Sequence, residues 1–120
     1  MNKTTLGKYG EDIAAKFLAK NGYKIIERNF RIRGGEIDII AKENQTLVYI
    51  EVKTRTSAKF GLPEESVNYY KLKFLERAAK FYRNARQNNK LPAAERIDVV
   101  SINLEDSQSP QIKLIQNVTF

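Results

Sequence analysis

Apolar residues at the start of the chain recur at spacings of three and four. Leu6, Tyr9, Ile13 and Phe17 align over residues 5–20, the period of an amphipathic helix, and Asn21-Gly22 supplies a stop. Glu11 falls at the border of that stripe, in line with Ala15 and Leu18. The period then drops to two. A strand is expected over residues 23–30, around Ile25-Ile26. A basic turn over residues 31–35 follows, in which Gly34-Gly35 can take positive φ, and it leads into Gly35-Glu36-Ile37-Asp38-Ile39-Ile40. A third strand over residues 46–54 contains Tyr49-Ile50-Glu51-Val52-Lys53-Thr54 and runs into Arg55. The irregular stretch 55–62 reads as a mobile loop. Pro63 is suited to open a second helix, with Glu64 and Glu65 complementing its dipole. That helix is expected to end near residue 88 and to bury Val67, Tyr70, Phe74, Ala78, Phe81 and Ala85. Strand pattern returns over residues 96–104 and, after a turn-like break, over 111–116. The predicted order is α-β-β-β-α-β-β, an α/β fold with a mixed β-sheet flanked by helices, in one domain spanning 1–120.

The charges inside the second and third strands need a reason. Asp38 shares a face with Ile40, and Tyr49 shares one with Glu51 and Lys53, so these charges sit on partly apolar faces where unpaired charge is costly. If Asn44 and Gln45 form a two-residue hairpin turn, Glu43 pairs with Thr46. Counting outward then sets Asp38 opposite Glu51 and Glu36 opposite Lys53. Directly opposed carboxylates have Cβ atoms roughly 4.5–5.5 Å apart, a repulsive arrangement that a divalent cation would convert into a binding site. The competing reading is a cross-strand ion-pair ladder in which Lys53 and Glu36 neutralise each other.

Composition narrows the chemistry. The 120 residues include no cysteine and no histidine, which removes disulfides, thiolate nucleophiles and the commonest general base and metal ligand. Carboxylates, lysine and hydroxyls remain, and a metal bound by oxygen alone would be a hard one such as Mg²⁺ or Mn²⁺. No stretch has the length of a membrane span and the N-terminus lacks a signal-peptide core, so a soluble, cytoplasmic protein with no membrane partner is expected. The net charge of +7 and a pI near 9.7 favour an anionic partner, nucleic acid first. Much of that charge lies between Asn68 and Arg96, where Lys71, Lys73, Arg77, Lys80, Arg83, Arg86, Lys90 and Arg96 face only Glu76 and Glu95. This segment reads either as a solvated face or as a surface that tracks phosphates.

Glu11 on a helix, Asp38 on a strand and Glu51-Val52-Lys53 on the next strand together resemble the core of the PD-(D/E)xK nuclease superfamily, the restriction-endonuclease-like fold, in the order shared by archaeal Holliday-junction resolvases. The whole chain resembles the bacterial YraN-type family related to those nucleases. That resemblance runs through Gly10-Glu11, Gly35-Glu36-Ile37-Asp38, Ile50-Glu51-Val52-Lys53-Thr54-Arg55, Pro63-Glu64-Glu65, Lys71 and Arg96-Ile97-Asp98-Val99-Val100. One departure from the family lies at the end, at Asn117-Val118-Thr119-Phe120, which carries no proposed chemistry.

The resemblance implies that Asp38 and Glu51 bind Mg²⁺ or Mn²⁺, joined by the Val52 carbonyl and by Glu11, and that Lys53 positions and helps deprotonate an attacking water. Glu36 is expected to flank the site and Asp98 to be structural. The candidate nucleic-acid contacts are Lys71, Lys73, Arg77, Lys80, Arg33 and Arg55. The function implied is a metal-dependent endonuclease acting on phosphodiester bonds of DNA, with branched or damaged DNA as candidate substrates and a homodimer by analogy with resolvases. The alternatives are a non-catalytic nucleic-acid-binding module that keeps the nuclease fold, and an interaction scaffold with a merely solvated basic helix.

Overall fold

The structure is a computed structural model that describes residues 3–56, 68–106 and 108–118. Its elements are α1 (Lys3–Lys20), β1 (Tyr23–Ile32), β2 (Gly35–Glu43), β3 (Thr46–Arg55), α2 (Tyr69–Ala85), a 3₁₀ turn (Gln87–Asn89), β4 (Ala94–Asn103) and β5 (Gln111–Ile115). All five strands belong to one sheet in the order β1-β2-β3-β4-β5. The first three form an antiparallel meander. β4 runs parallel to β3 and β5 antiparallel to β4. A parallel neighbour cannot be reached by a tight turn, so the chain crosses over between β3 and β4, and α2 lies in that crossover. This is the mixed sheet flanked by helices that the alternation of periods predicts.

Each face of the sheet carries its own core. On one face α1 inserts Ala14 and Leu18 among Ile39, Ala41, Val48, Ile50, Val100 and Ile102. On the other, α2 packs Leu75, Ala78, Ala79 and Tyr82 on Ile37, Ile40, Leu47 and Tyr49. Asn44 at the β2–β3 turn takes φ 54°, a left-handed conformation that asparagine tolerates. From there the pairing follows the predicted register: Glu43 with Thr46, Ala41 with Val48 and Ile39 with Ile50.

The inward stripe of α2 differs from the expected one. Tyr70 is 80% exposed and Phe81 56% exposed, and Ala85 also faces solvent. The buried residues are Leu72, Leu75, Ala78, Ala79 and Tyr82. Two stripes of this helix are apolar enough to serve, and packing decides between them. The alanines let the helix approach the sheet, and the Tyr82 ring then stands edge-on to Phe30 at 5.1 Å and to Tyr49 at 6.2 Å, an arrangement favoured by the ring quadrupoles. The N-terminus of α2 is capped by the Asn68 side chain, which accepts from Lys71 N–H at 2.9 Å. Of the expected loop at 55–62, Arg55 instead completes β3, and residues 57–62, like Pro63, Glu64, Glu65 and Val67, lie outside the described residues.

One polar network crosses the core. The Asp98 carboxylate on β4 is fully buried. It accepts from Tyr23 Oη at 2.8 Å, Arg96 Nε at 2.9 Å and Asn117 N–H at 2.9 Å. Arg96 also reaches Tyr23 Oη and Glu43. The start of β1, the end of β2 and the segment after β5 are thereby tied to β4, the structural part expected of Asp98.

Candidate functional site

The site lies where β2 and β3 part. Their pairing ends at Ile39–Ile50, and at the next position the Asp38 carboxylate turns between the strands to accept Val52 N–H at 2.8 Å. Side alternation breaks at the same point. Ile39 belongs to the α1-side core while Ile37 and Ile40 both belong to the α2-side core. Two positions before Arg31, β1 has Asn29 at φ 56°, between the pairs Arg28–Ile39 and Phe30–Ile37. A left-handed residue in one strand beside a face change in the other re-aims the side chains that follow.

Glu36 is re-aimed by this distortion. Counting by strict alternation puts it opposite Lys53, but its carboxylate instead accepts from Arg31 at 2.9 Å and Asn29 at 3.1 Å. Asn29 also donates to Glu11 at 2.9 Å. One carboxylate oxygen each from Glu11, Glu36 and Asp38 then lies within 4.8 Å of the others. Two oxygens on opposite sides of a Mg²⁺ ion are about 4.2 Å apart, so small rotations would suffice for a shared ion. The only signal for Glu36 was Asn29 within β1, a residue type that tolerates the left-handed conformation and so can mark a departure from flat alternation.

Glu11 gets there because α1 comes close to β3 at Gly10. A Cβ on Gly10 would sit 2.0 Å from Thr54 Oγ1, 3.0 Å from Thr54 Cβ and 3.1 Å from its Cγ2. Rotating the hydroxyl away leaves the other clashes. Gly10→Ala is therefore expected to destabilise the fold by about 1–3 kcal/mol, read by urea denaturation, and to move Glu11 away from the strands.

The electrostatics set Asp38 apart. Glu51 has Lys71 Nζ at 3.2 Å, Glu11 has Arg28 at 3.7 Å, and Glu36 has Arg31 at 2.9 Å. Among the described residues Asp38 has no such cation. Burial first, then the Glu51 charge, push its carboxyl up from 3.8 to about 8, Glu11 adds to the rise, and only the Val52 N–H opposes it. Glu51 itself is 4% exposed. Although Lys71 approaches its Oε2, that buried oxygen accepts no hydrogen bond. A buried acid pushed toward its protonated form, beside a carboxylate oxygen that accepts no hydrogen bond, fits a hard cation, which supplies positive charge and takes oxygen ligands.

A cavity of about 470 Å³ joins Glu11, Asp38, Glu51, Lys53 and Arg55. Lys53 makes no ion pair among the described residues, and Arg55 Nε is buried without a hydrogen-bond partner. Val52 lines the same cavity, its N–H committed to Asp38. The six expected nucleic-acid cations separate into groups. Lys71 and Arg55 belong to this site. Arg33 and Arg77 line a groove farther along α2, and Lys73 and Lys80 are exposed on that helix.

Every one of these acids lies within a segment that matches a known family. The family model described as "Uncharacterised protein family UPF0102" matches residues 10–102. The chain belongs to the UPF0102 family. This is the YraN-type family that the sequence resembles. UPF0102 relatives match along nearly the whole chain. A UPF0102 protein of Caldicellulosiruptor saccharolyticus is 46% identical over 118 residues, covering 98% of each chain. One of Geobacter metallireducens is 43% identical over 117 residues, 98% of this chain and 93% of its own. One of Thermodesulfovibrio yellowstonii is 45% identical over 120 residues, the full length of both. The UPF0102 match takes in both strands of the fork and the stretch of α2 that carries Lys71.

Proposed function

We propose that this UPF0102 protein is a divalent-cation-dependent endonuclease of the PD-(D/E)xK type, with the restriction-endonuclease-like fold, acting on phosphodiester bonds of nucleic acid, most readily DNA. The observation that carries the reading is the convergence of Glu11, Glu36, Asp38 and Glu51 at the β2–β3 fork, where Asp38 has no counter-charge among the described residues. Asp38 and Glu51 would hold Mg²⁺ or Mn²⁺ from the strands, with Glu11 and Glu36 closing the shell from the α1 side. When bound, the cation would neutralise charge on the scissile phosphate and lower the pKa of a coordinated water. The chain's own groups do the rest. The Val52 N–H fixes the Asp38 carboxylate, so its oxygens are pre-aimed. Lys53, which has no ion pair among the described residues, is available to hydrogen-bond the attacking water and a phosphate oxygen. Lys71 is close enough to Glu51 to balance its charge in the metal-free protein and to turn to phosphate once a cation takes that part. Arg55 offers a guanidinium on the same wall.

The test is incubation of labelled linear, nicked and four-way-junction DNA with Mg²⁺, Mn²⁺ or EDTA, beside Lys53→Ala and Asp38→Ala. The expected result is cleavage that needs the divalent ion and is lost in both variants. Cleavage surviving in both would refute the assigned site. Salt-dependent binding without cleavage under any divalent condition would favour a non-catalytic binding module.

A further inference from the structure

The outward face of α2 holds residues that the packing of the fold does not explain. Tyr70, Lys73, Arg77 and Phe81 recur at spacings of three and four, which places them along one stripe of the helix. All four face solvent, and both aromatic rings are more than half exposed. Phe81 closes a groove of about 500 Å³ whose other walls are Ile32, Arg33, Gly34 and Arg77. Glycines make that groove possible. A Cβ on Gly35 (φ 155°) would come within 3.0 Å of the Phe74 ring, and one on Gly34 (φ 99°) within 3.4 Å of the Arg77 guanidinium. The β1–β2 turn can therefore rest on α2 and bring Arg33 beside Phe81. Neither Arg33 nor Arg77 forms an ion pair among the described residues. Within α2, Glu76 meets Lys73 in an exposed pair at 3.6 Å.

We infer that this stripe and groove bind a single-stranded segment of nucleic acid, with an unpaired base on Phe81, its phosphates on Arg33 and Arg77, and the strand passing Lys73 and Tyr70 toward the carboxylate fork. The inference deepens the nuclease reading and rests on it for the nature of the ligand. Flat rings alternating with cations suit unpaired nucleotides, whose bases offer a face for stacking while the backbone takes the charges. A duplex buries those faces and presents phosphates, to which a phenylalanine ring contributes nothing. The scale also fits. Ten residues of helix from Lys71 to Phe81 span about 15 Å, about four or five stacked nucleotide steps at 3.4 Å each.

Fluorescence anisotropy in EDTA, where cation-dependent cleavage is off, would compare labelled oligothymidylate, oligouridylate and blunt duplex. The variants are Phe81→Ala, Tyr70→Ala and Arg77→Ala, with Lys24→Ala as a distant control. Phe81→Ala and Tyr70→Ala should each weaken single-strand binding about 5- to 100-fold, the effect of one lost stacked base, with the salt dependence unchanged. Duplex binding should move by less than about twofold, while Arg77→Ala should flatten the salt dependence. Equal losses on duplex and single strand, no loss on either, or no nucleic-acid binding by the wild type would each overturn the inference. The two readings fail separately. Single-strand binding that depends on Phe81 in a protein that never cleaves leaves the stripe and refutes the nuclease. Cleavage with binding indifferent to Phe81 and Tyr70 does the reverse.

Discussion

Asp38→Asn is expected to abolish divalent-dependent cleavage and, in the same molecule, to make the cation-free protein more stable at alkaline pH. The loss of activity should be at least about 10²–10³-fold, the usual effect of removing one preorganised electrostatic group at a reacting centre. The gain in stability follows from the raised carboxyl. With a folded value of about 8 against an unfolded 3.8, the native state binds more protons than the unfolded chain between those limits. Stability therefore falls as pH rises through that window. The contribution is fully present below about pH 4 and is gone above about pH 8. Asparagine cannot ionise, so Asp38→Asn should lack this component of the decline. Thermal unfolding followed by circular dichroism across that range checks it. Mg²⁺ should raise the wild-type melting temperature more at the alkaline end than at the acid end, because protons compete for the same oxygens. A merely structural Asp38 would give neither the flattened profile nor the cation dependence.

Arg96→Met carries the largest expected cost to folding. Asp98 is fully buried, and without the guanidinium it would keep, among the described residues, Tyr23 Oη and Asn117 N–H as donors. Removing one partner of a buried charge pair typically costs about 3–5 kcal/mol, a large share of the roughly 5–15 kcal/mol that holds a domain together. The loss should also loosen Tyr23 and Glu43, because Arg96 contacts both. Urea denaturation of Arg96→Met and of the double variant Arg96→Met/Asp98→Leu separates the causes. The double variant should recover part of the loss, since the stranded carboxylate, rather than the missing contact, dominates the cost.

How much of this was legible in the chain depended on how local the governing force was. The β2–β3 hairpin could be counted from the Asn44-Gln45 turn because alternation and turn chemistry act over neighbouring residues, and the register holds as far as Ile39–Ile50. It failed at the next step. Glu36 leaves its expected place opposite Lys53 because β1 carries a left-handed Asn29 and Asp38 gives its carboxylate to Val52 N–H. Those events couple three strands and leave only a faint mark in any one of them. For α2 the period was plain but the phase was not. Tyr70 and Phe81 looked like core by residue type, whereas Leu72, Leu75, Ala79 and Tyr82 fit the sheet better. Lys71 was singled out by the resemblance and as a candidate nucleic-acid contact, but its approach to Glu51 was not legible, because it needs the crossover that brings α2 beside β3.

The proposed endonuclease depends above all on a divalent-cation site at the β2–β3 fork with Asp38 at its heart. Calorimetric titration with Mn²⁺ at about pH 7, in two buffers of different ionisation enthalpy, tests it most directly. Saturable binding that releases about one proton per ion is expected, because the cation must displace a proton from the raised Asp38 carboxyl. Release should fade above about pH 9 and both signals should vanish in Asp38→Asn. Absence of Mn²⁺ binding by the wild type, or binding that Asp38→Asn leaves unchanged, would contradict it.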